Sequence, residues 1–137
     1  MPNFAPIFTR VPRSAWAVQT AANIAKDGTG VTALVMSADA VEGAYLLSIN
    51  CEPLGTNVAT ILRVFLNNGL TPATAANNIL IGQINLPATT LSETSTATMQ
   101  GVARVFNMPV PPGYKVFVCL ATAVVAGWAI QTVSGDY

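Results

Sequence analysis

The chain has 137 residues, of which 52% are hydrophobic and only 9% charged, against about 25% charged in ordinary soluble domains. Six basic and six acidic residues cancel, and a surface this neutral repels its neighbours weakly and favours assembly. Arg10, Arg13, Lys26, Arg63, Arg104 and Lys115 are spread along the chain, so no basic groove for nucleic acid is expected.

In chain order, the first segment is unlike the rest. "MPNFAPIFTRVPR" carries Pro2, Pro6 and Pro12 between Phe4, Ile7 and Phe8, with Arg10 and Arg13 and no acid. It is too apolar for a free tail and too broken by proline for a regular core element, so residues 1–15 are expected to form an extended arm lying against a surface, its own or a partner's. Phe4, Ile7, Phe8, Arg10 and Arg13 are its candidate anchors. The same prolines stand where a signal peptide would hold a continuous apolar run, and no N-x-Ser/Thr sequon occurs. Nothing marks the chain for secretion.

From residue 16 onward, short runs rich in Val, Ile, Phe and Thr alternate with turn clusters, as in all-β proteins. The expected strands are 16–25, 31–36, 44–52, 58–67, 79–86, 100–107, 114–122 and 128–134. Between them, "KDGTG" supplies glycines for positive φ, "EPLGTN" joins Pro53 to Gly55, and "PVPPGY" sets rigid prolines before Gly113. "SADAVEG" and "TLSE" resemble helix starts, but no 3.6-residue pattern follows, so each predicts a single turn. "TPATAANN" and "PATTLSETSTATMQ" read as exposed loops. Eight antiparallel strands with several long loops predict a β-sandwich of the jelly-roll type over residues 16–137 rather than an up-and-down meander.

The fourth of these strands poses a problem. In "LGTNVATILRVFLNNG", Val58, Thr60, Leu62, Val64 and Leu66 form one face and Ala59, Ile61, Arg63 and Phe65 the other, and both are mainly apolar. Either two layers enclose this segment or a neighbouring molecule covers it; in a sandwich one face lines the core and the other still needs a cover, which a subunit contact could supply.

The residues of chemistry are sparse. There is no histidine, so neither Ser-His-Asp nor Cys-His arrangements can form. The six carboxylates, Asp27, Asp39, Glu42, Glu52, Glu93 and Asp136, show no spacing that fixes a glycosidase pair. "GTG" at Gly28–Gly30 lacks the third glycine and the helix of a dinucleotide site. No enzyme, cofactor or metal site is expected. Cys51 and Cys119 sit in apolar strands and read as small buried hydrophobes, with a disulfide between adjacent strands as the alternative. Val116 to Ile130, at fifteen residues, is too short for the roughly 20 of a membrane span.

Four larger side chains remain. Trp128 lies in nearly all-apolar "VVAGWAIQ" and reads, with Trp16, as a core or interface anchor rather than a sugar-stacking platform. Arg63 and Arg104 each interrupt an apolar strand, so they either run outward along a sheet or meet a carboxylate, Glu52 among the candidates.

Taken together, "GTGVTALV", "LGTNVATILRVFLNNG", "NNILIGQINLPATTLSET", "PPGYKVFVCLAT" and "VAGWAIQTVSGDY" resemble head decoration (cement) proteins of tailed bacteriophages, from about Gly28 to Tyr137. The resemblance implies a jelly-roll homotrimer on the outer surface of the phage head. Such a protein would be made in the host cytoplasm, bind the major capsid protein and bridge coat subunits against internal DNA pressure. A receptor- or glycan-binding module of a fibre or tail would use the same fold, with ligands held by its loops.

Overall fold

The computed structural model describes residues 9–137; Phe4, Ile7 and Phe8 lie outside the described residues. Eight strands follow in order: β1 (Val11–Gln19), β2 (Ala33–Ser37), β3 (Ala44–Pro53), β4 (Thr60–Asn67), β5 (Asn78–Leu86), β6 (Val102–Val110), β7 (Lys115–Leu120) and β8 (Trp128–Asp136). One 3-10 turn, Ala75–Asn77, lies between β4 and β5.

The pairing explains the architecture. β4 pairs with β5, β3 with β6, β2 with β7 and β1 with β8, all antiparallel. The chain is thus doubled into one long ribbon whose bend is the β4–β5 connection. Rolling that ribbon brings β3 beside β8 and β4 beside β7. Two four-stranded sheets result, sheet A in the order β1-β8-β3-β6 and sheet B in the order β2-β7-β4-β5. This is the jelly roll expected from the sequence. Side chains alternate across each strand, and the inward set of both sheets forms one core, with Leu46, Ile49, Trp128 and Ile130 from sheet A against Leu62, Val64, Val118 and Leu120 from sheet B.

All eight expected strands exist; β1 ends at Gln19 and not at residue 25, and two other displaced boundaries share a cause. β1 begins at Val11, not residue 16, so part of the segment assigned to the arm lies in the sheet. β6 runs on to Val110 through Pro109. Both are edge strands, where a proline leaves no partner strand short of an N–H. Prolines that look like strand breakers in the sequence are tolerated there. Bulges interrupt four ladders. At one of them Leu47 of β3 lies opposite Phe106 and Asn107 of β6, and Asn107 takes φ 47°, a conformation asparagine reaches more readily than most residues.

The helix-like "SADAVEG" is a turn. The Asp39 carboxylate accepts the N–H groups of Val41 and Glu42 at 2.9 and 2.8 Å, and those bonds hold its pKa below the ordinary carboxylate value. Gly43 closes the turn at φ 80°, where a Cβ would lie 2.7 Å from the Val110 carbonyl oxygen. "TLSE" forms no helix.

Candidate interaction surfaces

The roll gathers four connections, residues 20–32, 54–59, 87–101 and 121–127, at one end of the sandwich. Asn57, buried there, ties the last three together. Its Nδ2 donates to the Gly127 carbonyl at 3.0 Å, its Oδ1 accepts the Ala126 and Gly127 N–H groups at 3.1 and 2.9 Å, and its backbone exchanges two hydrogen bonds with Thr89. Buried amides of this kind fix loops because each lost bond would leave a desolvated partner.

The first of these connections also answers the question posed by β4. The inward face of β4 carries Leu62 and Val64; the outward face carries Arg63, Phe65 and Asn67, and all of these are buried. Their cover comes from the same chain. Asn23 donates its N–H to the Leu120 carbonyl of β7 at 2.7 Å, and Asp27 offers its carbonyl to Asn78 Nδ2 of β5 at 3.1 Å. β4 lies between β7 and β5, so the segment from Asn23 to Asp27 must cross over it. Asn23 holds the loop's shape, donating to the Thr29 and Val31 carbonyls and accepting the Ala25 N–H. Of the two covers expected for β4, a second layer or a neighbouring molecule, the first is found, and the same chain provides it.

Arg63 is only 8% exposed. It leaves the outward side of sheet B, as one of the two expected courses has it, but is covered there by the loop and meets no carboxylate among the described residues; its Nη1 donates to the Asn23 carbonyl at 3.4 Å, and its Nε has no partner there. Cys119 lies beside it in register. Burial pushes the Cys119 thiol up, with the Arg63 charge pulling the other way. Cys51 faces the core from β3, and burial raises it to about 12. Both cysteines are free; they belong to different sheets, one facing the core and one facing away from it, so the interstrand disulfide does not form.

The outward face of sheet A is different. Trp128, Ile130 and Thr132 of β8 point inward, so Ala129, Gln131 and Val133 point outward, and their register partners share that face: Val18, Trp16 and Ser14 on β1, then Glu52, Asn50 and Ser48 on β3. Ala103 and Val105 continue it on β6. Trp16 is 71% exposed, Val105 62%, Val18 55% and Leu47 43%. The charge on these outward positions is Glu52, near one end. Gln131, the register partner of Trp16, donates from Nε2 to Ser14 Oγ at 2.8 Å. A groove of about 370 Å³ opens toward the other end, between Thr9, Pro12, Tyr45, Leu47 and Val133.

Of the two tryptophans read as core or interface anchors, Trp128 is therefore core and Trp16 is surface. Arg10 and Arg13, which have no acid nearby in sequence, find one through the fold. Arg10 Nη2 donates to Glu42 Oε2 and Arg13 Nε to Asp136 Oδ2, each at 2.6 Å. The second pair is the firmer, because Asp136 is buried and its carboxylate would otherwise be stranded. Arg104 pairs with no carboxylate among the described residues. From β6 it reaches across the open side of the sandwich to donate to the Gln83 carbonyl of β5 at 2.9 Å, with its guanidinium 5.0 Å from the Phe106 ring centre. Gly82 makes room, since a Cβ there would lie 2.8 Å from Arg104 Nη1.

Sequence reasoning missed Asn23, Asn57 and Asn78. Asn23 fell inside the first expected strand, and a buried loop amide has no periodic signature. Among the described residues, no three His, Cys, Asp or Glu gather as metal ligands, and no helix is long and apolar enough to cross a membrane.

No protein-family model matches the chain, and no curated protein does. Among solved structures, that of infectious bursal disease virus, Gt strain, is similar over 97% of this chain and 36% of that one, at 14% identity and a TM-score of 0.30. A likeness at that level adds nothing to the jelly roll read from the strand pairing, and what the chain does is argued from its own surfaces.

Proposed function

We propose that the chain is a structural protein of a bacteriophage virion, which binds the outer surface of the head as an oligomer and stabilises it by bridging subunits of the major capsid protein. The observation that carries this reading is the open face of sheet A, which is nearly uncharged, sets exposed Trp16, Val18 and Val105 at its borders beside neutral Gln131, Asn50 and Ser48 in the middle, and is backed by the core. Large apolar side chains exposed together on one face with little charge mark protein contacts. The homotrimer and the site on the head come from the resemblance to cement proteins. The mechanism is mass action: a protein that binds the assembled shell and not its separated subunits shifts the equilibrium toward the shell, with no turnover.

The arm belongs to this proposal too, as the element that reaches the coat. Since β1 begins at Val11, the test is a chain that begins at Thr9, which keeps the whole strand. It is expected to fold as the full chain does and to lose binding to undecorated heads; unchanged binding would remove the arm from the mechanism. A second reading, a glycan- or receptor-binding module of a fibre or tail, is favoured by the setting of Trp16, whose register partner Gln131 is hydrogen-bonded to Ser14. Imaging the protein on the particle separates the two. Density over the head supports the decoration reading, and density confined to the tail or fibres supports the other.

A further inference from the structure

The outer face of sheet A is large enough and patterned well enough to say what covers it. Its four strands have nine or ten residues each. At about 4.8 Å between strands and 3.4 Å per residue the face spans roughly 550 Å² in projection. Covering it on two partners removes roughly 1,100 Å², just above the ~1,000 Å² that a specific interface needs. With Glu52 as its charge, the face offers little to a strongly charged partner and little repulsion to a second copy of itself.

Its relief favours that second copy. In one row across the sheet, the register sets Trp16 on β1, Gln131 on β8, Asn50 on β3 and Ala103 on β6. The bulkiest side chain stands at one border and a methyl group at the other, with two amides between. When two such faces meet about a two-fold axis running along the strands between β8 and β3, β1 lies over β6 and β8 over β3. Trp16 of each copy then falls over Ala103 of the other, and Gln131 over Asn50. Large meets small, and amide meets amide. A two-fold contact of this kind uses the same patch on both copies, so each complementary pair occurs twice.

We propose that two copies of this chain associate through the outer faces of sheet A, with Trp16 of each packed over Ala103 of the other. The contact rests on the assembling role proposed above only for its occupant, and it pairs copies by twos, distinct from the threefold contact expected of the decoration form. Association in solution tests it separately from binding to heads.

The experiment is sedimentation equilibrium of the full chain over a range of concentrations, with Trp16→Ala, Ala103→Trp and the double variant W16A/A103W. The native chain is expected to form dimers. Each single change is expected to weaken association about tenfold or more, the first by removing an aromatic anchor and the second by overfilling the contact. The double variant exchanges large for small across the axis and is expected to recover most of the loss, while near-UV circular dichroism of the buried Trp128 reports that each monomer is folded. Trp16 emission in the native chain is expected to shift to the blue as dimers form. A monomer at every concentration, an oligomer indifferent to both single changes, or a double variant no better than the worse single one would overturn the proposal.

Discussion

The two outward faces of the sandwich bear similar apolar side chains and meet different fates. On sheet B, Phe65 and Arg63 are closed off by residues 23–27 of the same chain. On sheet A, Trp16, Val18, Leu47 and Val105 remain exposed. The contrast teaches that a two-sided apolar strand does not by itself signal a partner. β4 is apolar on both faces, yet its cover is internal, and the face left open belongs to strands that look less unusual. Cys119 makes the point chemically. Its thiol, on the outward side of sheet B, is raised by burial as that of core-facing Cys51 is, so the space under the loop is desolvated in the manner of the core.

The largest way to break the comparison is Phe65→Ala. If the loop seals a second small core over β4, removing a ring that is 0% exposed should cost about 3–4 kcal/mol in denaturant unfolding, as in a main core. A loss under about 1 kcal/mol would mean that the outer side of sheet B is only loosely covered. Asn23→Ala comes next. It removes three side-chain hydrogen bonds that shape the loop and should cost about 2 kcal/mol. It should also speed alkylation of Cys119 at pH 8, leaving Cys51 as slow as before.

The cysteines sharpen the comparison with pH. The folded-state pKa of Cys51, about 12 against an ordinary 9.0, favours the folded protein fully below pH 9, and that contribution is lost as pH rises from 9 toward 12. Replacing Cys51 by Ala should therefore flatten the alkaline fall of stability in that window; an unchanged profile would count against a buried thiol. The smallest effect belongs to the open face. Trp16→Ala should change monomer stability by no more than about 0.5 kcal/mol, the range of surface substitutions, while altering association.

Much of the fold was legible in the sequence because alternation and turn chemistry are local. Eight apolar runs with Gly and Pro punctuation suffice for eight strands, and the long loops favour a roll over a meander. The boundaries at Pro12 and Pro109 were not legible, because whether a proline breaks a strand depends on whether the strand lies at an edge, which the chain settles only after it is rolled. The interaction surfaces were legible only in part. Trp16 was singled out, but its register with Ala103 emerges only through β8 and β3. Arg63 was singled out too, but neither its burial under a loop nor its partner was foreseen. Its partner is a backbone carbonyl 40 positions away, and no side-chain pattern announces a carbonyl. The ion pairs of Arg10 and Arg13 likewise join residues that meet only when β1 returns beside β8 and the Asp39 turn.

The most direct test is hydroxyl-radical footprinting of the dilute protein and of the protein mixed with undecorated phage heads, the partner proposed above. The account predicts that Trp16, Leu47 and Val105 are oxidised in dilute solution and protected on the particle, while Phe65 and Cys119 are protected in both. Oxidation of Phe65 and Cys119 in the free protein, or a Trp16 that stays reactive when bound, would contradict it.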